Sequence, residues 1–213
     1  DSILRDWPSL FSRQSKLVET FRGDNVEVSV LTLAHDNMRG ALLENYPTVY
    51  ARCCYNLATR ASQYFKEQFA EIDPDPTRSL SIDPARLIKR LYSWLLECQD
   101  FDLQKTLMQD RDLKRLRDRL CNQMEGQGQF HEKLAILAHV RHILHQLLKR
   151  RTGNEHSTID DFFREELAWT YNARALTYLR LGQFQRSLDE VEEAILMFRF
   201  LIEDRGCEQY RKA

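Results

Sequence analysis

Helix breakers are scarce in this chain. Seven glycines and five prolines among 213 residues leave long stretches that nothing interrupts, and good helix formers such as Leu, Ala, Arg, Glu and Gln fill them. The composition predicts an all-α protein. Long apolar runs are missing too: none approaches the ~18 residues of a membrane-spanning helix, and Asp1-Ser2-Ile3 lacks the basic-then-apolar order of a signal peptide. No membrane partner is expected. Nor is there an excess of one charge. With 31 Lys and Arg against 32 Asp and Glu, the formal net charge of −1 offers no general attraction to nucleic acid or anionic lipid. Cys53, Cys54, Cys98, Cys121 and Cys207 are odd in number, irregularly spaced and without a CxxC pair. This argues against a disulfide framework or a zinc site and points to a reducing, cytoplasmic compartment. The chain begins without Met, which suggests a domain excised from a longer protein.

Signatures of catalysis are equally wanting. The sequence contains no GxSxG elbow, no GxxxxGK[ST] phosphate loop and no GxGxxG after a strand. Carboxylates are so numerous that chance pairs are inevitable, so no catalytic dyad is nominated. The expectation is a non-enzymatic protein without a cofactor.

What is present is a soluble globular balance, with 43% hydrophobic and 30% charged residues, in a chain long enough for one large or two small domains. Pro8 suits the first turn of a helix over 9–22, with Leu10, Leu17, Val18 and Phe21 as its stripe. Residues 26–45 open with alternating Val26, Val28 and Val30, a strand pattern. The continuation through Leu33, Met38, Leu42 and Leu43 favours a helix, because a lone strand would have no sheet to join. A helix over 48–72 carries a broad face of Tyr50, Cys54, Leu57, Ala58, Ala61, Tyr64, Phe65 and Phe69. Three prolines between Asp73 and Pro84 then mark a loop. The chain divides accordingly into N-terminal helical hairpins (1–75), a Pro-rich loop (76–84) and C-terminal helical hairpins (85–213) of one continuous helical domain.

Asp83-Pro84 reads as cap and first position of a helix over 84–97, with Leu87, Leu91, Trp94 and Leu95 inward. Asp102 reads as the cap of one helix over 103–124, whose Lys114, Arg115 and Arg117 alternate with Asp110, Asp112 and Asp118, the pattern of a solvated, salt-bridged face. Residues 130–151 form an amphipathic helix with Ile136, Leu137, Val140, Ile143, Leu144 and Leu147 on one side. His139, His142 and His145 lie on the other, where an adjacent pair could meet an ion but three ligands from one helix would splay. Ordinary interhelical histidines are the expectation.

The most specific stretch is 166–201. Ala168, Tyr171, Ala175 and Tyr178 share one helix face, Gly182 ends the helix, and Ser187, Val191, Ala194, Phe198 and Leu201 repeat the pattern in a second helix. Ala175, Tyr178, Gly182-Gln183-Phe184, Ser187 and Ala194 fall on signature positions of the tetratricopeptide repeat, which this stretch resembles over about one repeat of ~34 residues. The resemblance implies antiparallel helical hairpins stacked as a superhelix of about eight helices. It also implies a scaffold or protein-interaction module, docking a protein, a peptide or another domain of the same polypeptide. Asn172, Arg174 and Arg180 are the candidate partner contacts, Asn172 closest to the usual ligand-facing positions. A second reading is a nucleic-acid-binding domain using Lys114, Arg115, Arg117, Lys149, Arg150 and Arg151, against which the balanced net charge speaks. A third is a structural core that forms a homodimer through exposed apolar helix faces.

Overall fold

The computed structural model describes residues 18–22, 27–31, 40, 43–69, 82–150 and 158–203. Its body is all-helical: α1 (Pro47–Phe69), α2 (Ile82–Glu97), α3 (Phe101–Met108), α4 (Arg111–Gly126), α5 (Phe130–Lys149), α6 (Thr158–Arg180) and α7 (Phe184–Glu203). A helical turn at 43–45 precedes α1. Helices consecutive in sequence pack as antiparallel hairpins. Tyr50 and Cys54 near the start of α1 meet Glu97 at the end of α2, and Trp169 early in α6 meets Phe198 late in α7. α5 joins the two ends of the array, lying against α2 on one side and α6 on the other. Among the described residues from 43 onward, the expected all-α array of packed helices is what forms.

Two local expectations are corrected. Val18–Arg22 and Glu27–Leu31 are strands β1 and β2 of an antiparallel hairpin in which Val18 opposes Leu31 and Arg22 opposes Glu27, so the region 1–75 is not made of helical hairpins alone. The Val-rich alternation of β2 finds its partner in the segment just before it. The helix expected over 103–124 is two helices. Asp100, not Asp102, caps α3 by accepting from Leu103 N at 2.8 Å. Asp110 starts α4 by accepting from Asp112 N and Leu113 N, each at 3.1 Å. A carboxylate that satisfies two orphan amides is enough to restart a helix without glycine or proline. Most of the Pro-rich loop lies outside the described residues, and α2 begins at Ile82, inside the expected loop 76–84.

Turns follow the glycines where left-handed backbone is needed. Gly182 has φ 71°. Gly182 N donates to Leu179 O at 3.0 Å and Gln183 N to Tyr178 O at 2.9 Å, the paired bonds of a Schellman ending. Gly128 ends α4 in the same way. Gln99, just beyond α2, adopts φ 53° with a side chain present. A left-handed L-residue costs about 1–2 kcal/mol, partly offset in a glycine variant by its greater unfolded-state entropy. Gln99→Gly is therefore expected to stabilise the protein by about 0.5 kcal/mol, read as a higher urea midpoint with an unchanged slope; a lower midpoint would contradict the assignment.

The core runs the length of the array. Leu87, Ile88, Leu91 and Leu95 of α2 and Ile136, Val140, Ile143, Leu144 and Leu147 of α5 are almost wholly buried, and Phe163, Leu167 and Tyr171 of α6 continue the same cluster. Cys54, Cys98 and Cys121 are buried within it. Burial and the neighbouring Glu97 push the Cys54 thiol up to about 12, so it packs as an inert apolar group.

Candidate interaction site

The last hairpin is built unlike the others. α6 carries apolar residues on more than one side: Phe163, Leu167, Ala168, Tyr171 and Ala175 are buried, while Trp169, Leu176 and Leu179 stand exposed. α7 has two apolar seams. The inner one places Ser187, Ala194 and Leu201 in the interior, and Ser187 Oγ donates to Ala175 O at 2.9 Å, drawing the two helices together. The outer one consists of Phe184, Leu188, Val191, Ile195 and Phe198 at steps of four and three. Phe184, Leu188 and Ile195 are exposed, Val191 and Phe198 half-buried. Val191 and Phe198, expected on the face that meets α6, lie at its half-buried edge, where Phe198 packs on Trp169 of α6. The α6 surface repeats the step with Trp169, Asn172, Leu176 and Leu179, three, four and three apart. Trp169 and Phe198 meet edge to face at 5.3 Å between ring centroids, which sets both seams on one side of the hairpin.

Charge holds the other side. Arg174, expected to contact a partner, is buried. Its Nε donates to Glu190 Oε2 at 2.9 Å and its Nη2 to Glu190 Oε1 at 2.7 Å, and Nη2 also reaches Tyr178 Oη at 3.2 Å. A forked guanidinium–carboxylate pair of this kind is a fastening inside the fold. Arg141 of α5 reaches the same Glu190 at 3.3 Å, so one carboxylate joins α5, α6 and α7. His145 of α5 and Tyr171 of α6 share a hydrogen bond at 2.8 Å. Burial first, then the Arg141 charge, hold the His145 imidazole below its ordinary range.

The other nominated residues separate clearly. Asn172 is half-buried within the exposed α6 seam, and Arg180 is exposed at its end, its Nε 3.8 Å from a Glu125 oxygen. Among the six basic residues of the nucleic-acid reading, Arg117 is buried, with Nη2 2.8 Å from Asp118 and 3.3 Å from Glu166, and Lys114 also pairs with Glu166. Both are neutralised within the protein. Arg115 is exposed, 3.7 Å from Asp112. Lys149 and Arg150 are exposed at the end of α5, and Arg151 lies outside the described residues. Among the described residues no group of three His, Cys, Asp or Glu side chains could hold a metal ion, and no helix is long and apolar enough to cross a membrane.

The outer seam of α7 was legible as a four-three spacing in the sequence, but spacing alone does not say which of two apolar stripes meets the core. Comparison with known proteins adds no further constraint: no family model, no curated protein and no solved structure matches the chain.

Proposed function

We propose that this chain is a non-catalytic protein–protein interaction module, a scaffold or docking domain of tetratricopeptide-like hairpins, that engages its partner through the outer face of α6 and α7. The observation that carries the reading is the exposed apolar row of Trp169, Leu176, Leu179, Phe184, Leu188 and Ile195. Contiguous apolar surface on a soluble protein marks an interaction site. Asn172 within the row and Arg180 at its end add polar specificity, while Arg174 positions the hairpin from within. The occupation of Lys114 and Arg117 by Glu166 weighs against nucleic acid as the partner.

Capture from an extract of the native cells, treated with nuclease, tests this. Wild-type protein should retain a partner that Leu176→Glu/Leu188→Glu loses, with unchanged helical circular dichroism in both. Retention that depends on nucleic acid and ignores the two substitutions would overturn the reading.

A further inference from the structure

We infer that the occupant of the α6–α7 face is a second copy of this chain, docked hairpin against hairpin to make a four-helix bundle across a two-fold axis. The inference rests on the reading of that face as an interaction site and names what covers it. Both helices present seams on the same side, α6 with Trp169, Asn172, Leu176 and Leu179, α7 with Phe184, Leu188, Val191, Ile195 and Phe198. Alternating steps of three and four are the spacing by which helices interlock side by side. Two antiparallel helices with such seams are half of a four-helix bundle. An identical hairpin supplies the missing half, because in a two-fold dimer each surface must complement itself.

Area points the same way. The six exposed large apolar side chains of the two seams are 42% to 65% exposed. Taking the ~150–250 Å² of an aromatic side chain as the measure for each, they leave on the order of 500–800 Å² per chain. The largest apolar patch on an ordinary monomer is about 300–600 Å², whereas a standard interface covers about 800 Å² per partner. Exposed Arg180 and Glu192 flank the seams and widen the face. Asn172 is also the single polar residue within the α6 seam, and a lone asparagine in an apolar seam fixes register and the number of helices at some cost in stability. Such a residue suits an assembly of defined stoichiometry.

Light scattering coupled to size exclusion, over a wide range of loading concentrations, tests the inference on the full chain. Wild type should run at twice the 25.3 kDa of one chain. Leu188→Glu/Ile195→Glu should run at the single-chain mass with unchanged circular dichroism. Leu179→Glu/Phe184→Glu, at the other end of the face, provides a second route to the same loss should the first pair disturb the fold. Tyr55→Glu, on the exposed surface of α1, should leave the doubled mass intact. The inference is overturned if wild type runs as one chain at every concentration, if both seam variants stay at the doubled mass, or if Tyr55→Glu alone dissociates it. A single-mass wild type that still needs the face to capture another protein overturns the second copy and leaves the interaction face standing.

Discussion

Glu166→Ala is expected to destabilise the protein by about 3 kcal/mol, the scale on which a buried charge loses its partner. Glu166 is buried on α6 and receives both Lys114 and Arg117 from α4. Lys114 is part-exposed and can turn toward water. Arg117 cannot, because it is sealed beneath α4; Asp118 remains as its partner, which keeps the cost toward the lower end for a broken buried pair. At roughly 2–4 °C per kcal/mol for a chain of this size, the melting temperature should fall by about 6–12 °C. Arg117→Leu/Glu166→Leu should recover most of the loss, since a well-packed apolar pair avoids the desolvation of two charges. A melting temperature within 1–2 °C of wild type, on the order of the ±0.5 kcal/mol of a surface substitution, would show that the pair does not hold α4 to α6.

Glu190→Ala comes second, at about 2–3 kcal/mol. It removes both oxygens of the forked bond to Arg174 and the bond to Arg141. Arg174 would keep only Tyr178, through its hydroxyl and its ring face. The loss should fall on the attachment of α7, seen as faster hydrogen exchange in α7 than in α2 or α5 and as a lower urea midpoint. Arg174→Lys should share much of the defect, because an ammonium cannot form two parallel bonds with one carboxylate. If Arg174→Lys matched wild type, the fork would carry no particular role. Neither carboxylate touches the outer face, so a loss of partner capture in these variants without a loss of stability would also contradict the structural role given to them.

Those two glutamates show where a reading of the sequence stops. Local patterns were sufficient for the stripe of α5, the glycine that ends α6 and the small Ala175, Ser187 and Ala194 between α6 and α7, since each depends on neighbours a few positions away. Glu166 and Glu190 look like any other acids among 32; what distinguishes them is an arginine 49 positions away in one case and 16 in the other. Arg174 was misplaced for that reason, since an arginine on a mostly apolar helix reads as solvent-facing until its acid is found. The β-hairpin was hidden differently. Val26, Val28 and Val30 carried the strand signal, but β1 resembles the end of a helix until β2 is laid beside it. At Asp110, a side chain that caps is chemically the same as one that pairs with a lysine along a helix; Asp110 caps α4 and also lies 2.7 Å from Lys66 of α1.

The turn at Gly182 also orders events in time. Closing it joins helices separated by three residues, 181–183, and a short loop costs little chain entropy, whereas bringing Arg117 to Glu166 must first gather the 48 residues between them. Contacts near in sequence form quickly and distant ones late. The α6–α7 hairpin, like the α4–α5 hairpin joined by the three residues 127–129, is thus suited to be an early seed, formed before the Arg117–Glu166 pair closes. A seed with an apolar outer face is exposed while the rest of the chain is still being gathered, so the steps that assemble the molecule and those that could aggregate it share one surface.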